Sequence, residues 1–474
     1  MTAKVLVVGG GPGGSIAATF LAQGGADVTL LEREHFPRYH IGESVAPSCR
    51  AIIEFAGAAE KVDARDYPVK RGVLLRWGAE SDWAVNWRDM FGEDIRSWQV
   101  DRDDFDHVLL KHAASQGAKV VEGATVKRIN FDGDRAMSAD WTQDGTGTVH
   151  TTEFDHVVDA SGRAGILSRK QFHNRRPHEV FRNVAIWGYY PGGQLLPGTP
   201  PGGIDVISSP NGWYWVIPLR GGQFSVGYVT HQDNFLALPR ADLRALFSSL
   251  VDASPTVRDL VAGHELAGDI RVEQDFSYVA DSFCGPGYFL AGDAACFLDP
   301  LLSTGVHLAL FSGMLSAASI LAIDAGDVAE AEAGTFYENL YRNAYARMLA
   351  LVAGMYDKYR GRMGYFWLAQ KLMRPEQVRA YKPDNAFGAI VAGLTDLEDA
   401  SRRGGVAPML SVIEAAERAR VRADVQVPNA GTTTAPMKMD ANDLYDAESG
   451  LYMVTTPRLS IARAHDRDLL TPAP

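Results

Sequence analysis

Gly9, Gly11 and Gly14, spaced G-x-G-x-x-G directly after the β-branched run Lys4 to Val8, restrict the fold of this chain more than any other feature. An apolar-periodic segment from Ser15 to Gln23 and a second run from Asp27 to Leu31 complete a βαβ unit. In such a turn the first glycine permits the sharp bend, the second lets a pyrophosphate reach the backbone, and the third lets helix pack on strand. The helix N-terminus turns its unpaired N–H groups toward the phosphate. Glu32 closes the second strand, where a carboxylate can hold the hydroxyls of an adenosine ribose, and Arg33 beside it is a further candidate cofactor contact. The spacing alone leaves NAD and FAD both open.

Further along, Asp104 to Gln116 reads as a helix, and Lys119 to Val121 and His156 to Asp159 as strands of the same sheet. Between those two strands, and again from about Asn183 to Thr230, apolar and polar residues alternate with Gly and Pro punctuation, the pattern of an antiparallel sheet beside the nucleotide domain. A strand-to-helix turn at Gly292-Asp293-Ala294-Ala295 precedes a long helix from Gly305 to Ala325. From Gly334 onward Tyr337, Tyr341, Tyr345, Met348, Val352, Met355 and Tyr359 recur at three- and four-residue steps, giving a helix with an aromatic stripe for the core or for a pocket. Val427 to Met437 is rich in Pro, Thr and Ala without periodicity and reads as an extended tail. The expected fold is therefore α/β. A doubly wound nucleotide-binding domain over residues 1–325 carries an antiparallel substrate-side sheet (about 66–95 and 176–264), and a C-terminal helical region with its tail fills 326–474.

A net charge of −12 without any block of Lys or Arg excludes the phosphate-neutralising surface that nucleic acid requires. The three cysteines, Cys49, Cys284 and Cys296, lack metal-ligand or disulfide-framework spacing, so no metal is expected and a reducing cytoplasm is. No uninterrupted apolar run approaches the ~20 residues of a bilayer span, and the early first strand leaves no room for a signal peptide, so a membrane is not expected.

Three segments point to FAD. Val100-Asp101-Arg102-x-x-Phe105-Asp106-x-x-Leu109 resembles the arginine-bearing helix start that group A flavoprotein monooxygenases set against the flavin. Val157 to Arg163 resembles their second glycine turn, and Gly292-Asp293-Ala294 their GDA motif, in family order. The resemblance implies a glutathione-reductase-like FAD domain, with Arg102, Asp293 and Gly305 joining Gly9, Gly11, Gly14 and Glu32 around the cofactor. No second glycine-rich βαβ unit is present for a separate NAD(P)H domain.

Within that superfamily, Trp213-Tyr214-Trp215-Val216-Ile217-Pro218 contains WxWxIP, and the chain resembles the flavin-dependent halogenases that carry it. Residues two apart on a strand share a face. In these enzymes Trp213, Trp215 and Pro218 would keep the organic substrate from the flavin, a packed aromatic ladder being the competing reading. Lys70, in Tyr67-Pro68-Val69-Lys70-Arg71-Gly72, stands where the family places its essential lysine, which hydrogen-bonds hypohalous acid or forms a chloramine. Asp299-Pro300-Leu301-Leu302-Ser303-Thr304-Gly305 resembles the halogenase loop whose Ser-Thr-Gly amides bind halide, assigning that role to Ser303, Thr304 and Gly305. Tryptophan halogenases carry a glutamate before that Ser-Thr-Gly; this chain has Leu302, which argues against free tryptophan.

Phe36 to Ser44 and Arg76-Trp77-Gly78 resemble the branch that chlorinates phenolic rings, including tyrosyl units on peptidyl carrier proteins in antibiotic assembly. Glu43 is open to two roles, a contact to substrate or flavin and a structural hydrogen bond. The resemblance, over about residues 1–380, implies an FADH2- and O2-dependent halogenase using chloride or bromide, served by a separate NAD(P)H-flavin reductase. Its substrate would be an aromatic small molecule or a carrier-bound aminoacyl unit. An FAD-dependent aromatic hydroxylase, a geranylgeranyl-reductase-like flavoprotein and a noncatalytic FAD-binding remnant are the competing readings.

Overall fold

In the computed structural model the described residues are 2–78, 82–92, 95–356, 391, 445–446, 448–455 and 458–463. The first strand, Lys4–Val8, lies at the centre of a six-stranded sheet. It is flanked on one side by Asp27–Leu31 and Lys119–Val121, and on the other by His156–Asp159, Tyr288–Leu290 and Cys284–Gly285. All pairings are parallel except the last. The βαβ unit forms as its hydrophobic period requires, with the helix Pro12–Gln23 crossing between the first two strands. The helix expected over 104–116 spans Arg102–Ser115.

The second sheet has eight strands, in the order Cys296–Phe297, Ala267–Ala280, Arg175–Tyr190, Phe224–His231, Gly212–Pro218, Ile204–Ser209, Gly72–Arg76 and Trp83–Asn86. It is antiparallel apart from the Ile204–Ser209/Gly72–Arg76 pair. Its long strand Ala267–Ala280 lies beyond the 176–264 boundary read from the sequence. The alternation between Lys119–Val121 and His156–Asp159 builds a separate three-stranded meander, Ala124–Asp132, Arg135–Gln143 and Val149–Glu153, rather than part of the large sheet. Hairpin-length turns close that meander on itself before it can reach the other sheet.

The strand Gly212–Pro218 divides its side chains between two cores, as its period of two dictates. Trp213, Trp215 and Ile217 join the large core shared with the parallel sheet. Tyr214 and Val216 join a smaller core containing Leu246, Phe247, Val251 and Val257 of the helices Leu243–Asp252 and Pro255–Leu260.

The helix Gly305–Ala325 has the predicted bounds, and His307, Ser312, Ser316, Ser319 and Asp324 interrupt its apolar residues, so no uninterrupted apolar run of span length is present in it. With 21 residues and a mean hydropathy of 1.9 over its most apolar window it is long and apolar enough to cross a bilayer, and 89% of that window lies inside the fold. It packs on Pro12–Gln23 as a core helix, which explains an apolar surface all round. Glu330–Tyr356 forms the second long helix. Its stripe from Tyr337 to Met355 is buried core, while Tyr359 and the tail 427–437 lie outside the described residues. Three strands over 445–463 form a small meander, tied to the preceding helix by Asn339 Nδ2 donating to Asp446 Oδ2 at 3.2 Å.

Candidate active site

The C-terminal ends of four parallel strands open into a cavity of about 770 Å³, lined there by Val8, Glu32, Ala160 and Ala291 among others. This is where open α/β sheets bind ligands. Gly9 has φ +106, and a Cβ on it would lie 2.3 Å from the Ala160 carbonyl oxygen. A Cβ on Gly14 would lie 1.9 Å from Gly9 O, so the helix sits on the turn at a distance no side chain permits. Gly11 differs: its Cβ would meet only the Arg38 guanidinium, at 3.4 Å, because it faces the cavity. The helix N-terminus has no side-chain cap, leaving its N–H groups to an anion.

Gly14→Ala is therefore expected to lose about 1–3 kcal/mol of stability through overpacking, together with flavin binding. Gly11→Ala is expected to keep the wild-type unfolding midpoint and bind FAD at least about 10-fold more weakly, a gap of roughly 1.4 kcal/mol. Chemical denaturation and a flavin-fluorescence titration of each variant distinguish the two effects.

Glu32 is buried and lines the cavity, its Oε2 accepting from Gly10 N at 2.6 Å and its Oε1 from Glu34 N at 2.8 Å. Arg33 lies at the cavity's exposed edge, 3.2 Å from Glu34. Arg102 is buried and committed: Nε and Nη2 reach Asp106 Oδ1 and Oδ2 at 2.8 and 2.9 Å, and Nη1 donates to Ile41 O at 2.7 Å. Arg38 Nη1 approaches the same carboxylate at 3.1 Å. Asp293 lines the cavity, with Arg163 Nε 3.9 Å away. The glycine turn, the buried carboxylate at the second strand and the cationic Arg38 and Arg102 fit FAD across this cleft.

Ser303, Thr304 and Gly305 line the same cavity at the start of the long core helix. Thr304 is 1% exposed, and its Oγ1 has no hydrogen-bond partner. Asp299 shapes the loop, accepting Leu301 N at 3.0 Å on Oδ1, and Asn183 Nδ2 at 2.7 Å and Tyr356 OH at 2.9 Å on Oδ2. Trp213 Nε1 donates to Tyr356 OH at 2.7 Å, so the aromatic strand and the Ser-Thr-Gly loop are braced through one hydroxyl. Trp213, Trp215 and Ile217 line the cavity, whereas Pro218 ends its strand half-buried and outside the lining.

Lys70 is not among the cavity-lining residues. It sits on the two-residue strand Val69–Lys70 paired with Ser97–Trp98, 3% exposed, its Nζ 5.1 Å from the centre of the Trp87 ring. Burial pulls its pKa down to about 7, with the nearby Cys49 thiol opposing. Arg71 N donates to Pro201 O at 3.2 Å and Gln99 Nε2 to Gly202 O at 3.0 Å, so the 198–203 loop closes over this strand.

Sequence reasoning missed three partners: Asp106, which holds both Arg102 and Arg38; Tyr356; and Tyr189, whose hydroxyl donates to Glu43 Oε1 at 2.7 Å. Asp106 was inside a quoted motif, and its i, i+4 spacing from Arg102 on one helix face was the available signal. Tyr189 and Tyr356 arrive from distant strands and helices and had none.

Comparison with known proteins agrees with this geometry. The tryptophan halogenase family model matches residues 4–97 and 95–384. A tryptophan 2-halogenase of Chondromyces crocatus is 39% identical over 496 residues, covering 97% of this chain and 94% of the relative. The flavin-dependent halogenase gsfI of Penicillium aethiopicum is 38% identical over 378 residues, 73% of this chain and 70% of its own length. The solved structure of the myxobacterial chondrochloren halogenase CndH, described as an FAD-dependent halogenase, superposes with a TM-score of 0.72 at 32% identity, covering 88% of this chain and 96% of that one. The cofactor is thus FAD, used as FADH2 with O2 and halide, with a separate flavin reductase as its source and an aromatic compound as substrate. With its family model, its relatives and its fold in agreement, this chain belongs to the flavin-dependent halogenases of the tryptophan halogenase family.

Proposed function

We propose that the chain chlorinates or brominates a phenolic or tyrosyl ring, free or carried on a peptidyl carrier protein, in secondary-metabolite assembly, with Lys70 delivering the halogen. The observation that supports this best is the burial of Lys70 outside the flavin cleft, while Trp213 and Trp215 line the cleft itself. Bound FAD, when reduced and supplied with O2, provides the oxidation of chloride or bromide to hypohalous acid. The chain's residues do the rest. Ser303, Thr304 and Gly305 offer helix-terminal amides and the unpartnered Thr304 hydroxyl to a halide ion. The tryptophans exclude an organic ring from the flavin, so the small hypohalous acid is what passes on. Lys70, with a pKa near 7, supplies both forms of its amine at neutral pH. The charged form donates hydrogen bonds to hypohalous acid, and the neutral form can accept the halogen on nitrogen. A phenol ring carbon then attacks the halogen and the ring loses its proton, a step that an already activated ring makes with little further acid or base. Leu302 puts no carboxylate directly before the Ser-Thr-Gly, which fits a ring that needs none there.

A second reading, an indole substrate, is favoured by the 39% identity to a protein named tryptophan 2-halogenase over 97% of the chain. Incubation with FAD, NADH, an added flavin reductase, halide, and free and carrier-linked phenols beside free and carrier-linked tryptophan decides between them by mass spectrometry. A halogen isotope pattern on a phenol is the expected result. The same pattern on tryptophan alone overturns the substrate assignment, and a halide-independent gain of one oxygen favours hydroxylation.

A further inference from the structure

We propose that Glu43 is the acid–base residue of the flavin cleft, and that Tyr189 and Tyr39 form the proton path joining it to solvent. The proposal rests on the family's halogenation reaction and not on the identity of the ring. Stoichiometry requires such a path: FADH2, O2, a halide anion and one proton give FAD, hypohalous acid and water, and the later step on the ring takes up no further proton. Each turnover must therefore bring a proton to the place where the anion is oxidised, inside a cleft walled by Trp213 and Trp215.

Glu43 lines that cleft at 4% exposure. Its Oε1 accepts Tyr189 OH at 2.7 Å, and its Oε2 is buried with no hydrogen-bond partner. The Tyr189 hydroxyl lies 2.7 Å from that of Tyr39, which in turn accepts Trp187 Nε1 at 2.8 Å. Tyr39 is 41% exposed, which puts the outer residue of the path at the protein surface. The hydrogen bonds run one way: with Trp187 donating to Tyr39, the Tyr39 proton is free for Tyr189, and the Tyr189 proton points at Glu43. A proton entering at Tyr39 moves each hydroxyl proton one place inward, and the carboxyl proton can leave from the unpartnered Oε2.

The other carboxyls lining the cleft lie beside donors or cations among the described residues. Glu32 holds two backbone N–H groups, Glu34 pairs with Arg33, and Arg163 lies beside both Glu273 and Asp293. The groups that bear on Glu43 are Ser225 from the neighbouring strand, Tyr189, and Asp101 and Arg102 at the start of the helix Arg102–Ser115. His40, three residues before it, is driven down to about 3 by burial and carries no charge at neutral pH. Burial raises Glu43 to about 7, against the opposing influence of the nearby Ser225 hydroxyl and of the Tyr189 hydrogen bond, so both protonation states are populated at neutral pH. Burial also raises Tyr39, to about 12, so that phenol stays neutral.

Isotope-edited infrared titration of the full chain, with and without FAD, tests this independently of turnover. A protonated-carboxyl band is expected to titrate with a midpoint near 7 and to be missing from Glu43→Gln. Tyr189→Phe removes a hydrogen bond to the charged form and should move the midpoint up. In turnover with a reductase and halide, Glu43→Gln and Tyr39→Phe are expected to slow halogenation about 10-fold or more with FAD affinity unchanged, and Glu43→Asp to recover part of the loss. Absence of a Glu43-dependent band, or wild-type rates and pH profiles in both variants, overturns the proposal. If wild type halogenates no ring offered, the substrate reading fails while the infrared titration still decides this one.

Discussion

Lys70→Met should abolish halogenation of the aromatic substrate, by on the order of 100-fold or more, the scale for losing a positioned catalytic side chain, while leaving FAD affinity and halide-dependent FADH2 consumption intact. Lys70 lies outside the flavin cleft, so its loss should not disturb the chemistry inside. The hypohalous acid then has no amine to hold it and should appear in solution, where a small-molecule halogen trap reads it. Lys70→Arg separates the two ways an amine can act. A guanidinium donates hydrogen bonds but stays charged and cannot take halogen on nitrogen, so retained activity would indicate hydrogen bonding and loss the N-halogenated route. Stability should move the other way. A folded pKa near 7 against an ordinary value of ~10.4 means that the unfolded chain binds the proton more readily, so the native state is penalised below that window and relieved as pH rises through it. Lys70→Met removes the penalty, and its melting temperature should exceed wild type at neutral and acid pH by a margin that shrinks toward alkaline pH. Equal melting curves at every pH would contradict the desolvated lysine.

The parts of this architecture legible in the sequence are those whose physics is local. The glycine turn needs a positive φ at Gly9 and an absent Cβ at Gly14, both consequences of neighbouring backbone. WxWxIP places Trp213 and Trp215 on one face because strands repeat every two residues, and both do line the cleft. Periodicity did not reveal which strands share a sheet. The alternation over 124–153 looked the same as that over 183–230, yet it closes into its own meander, because register and turn length decide pairing and neither is read from a hydrophobic pattern. The apolar helix Gly305–Ala325 was legible with its full bounds, and its serines and glycine interrupt the apolar run without lowering its mean hydropathy below that of a span. Glu43 was seen but left between two roles. What distinguishes them is a tyrosine 146 positions away, delivered by the large sheet.

Asp106→Ala should be among the most destabilising single changes in the nucleotide domain. Asp106 is fully buried, and its two oxygens accept Arg102 Nε and Nη2 while Arg38 stands 3.1 Å away. Burial alone would raise its pKa, but the Arg102 charge and hydrogen bonds, with Arg38 behind them, outweigh it and hold the carboxyl below its ordinary range. Removing the carboxylate strands a guanidinium that is 6% exposed, and breaking one side of a buried pair costs about 3–5 kcal/mol. Asp106→Asn keeps the shape and some of the hydrogen bonding and should fall between. Arg102 also donates to Ile41 O, and its Nη1 lies 2.7 Å from where a Cβ on Gly42 would be, so loosening it should release the 41–43 segment that presents Glu43 and weaken FAD binding as well. The sign of the pH dependence follows from the lowered pKa. The stabilisation is present above the unfolded carboxyl's value of ~3.9 and is lost as pH falls through the lower folded value, so wild type should lose stability on acidification with a component that Asp106→Asn lacks. Denaturant titrations of wild type, Asp106→Asn and Asp106→Ala at a series of pH values measure it. Parallel curves for wild type and Asp106→Asn down through the carboxylate range would mean that Arg102 is held by its backbone contact, and that this carboxylate is not what fixes the arginine at the cleft.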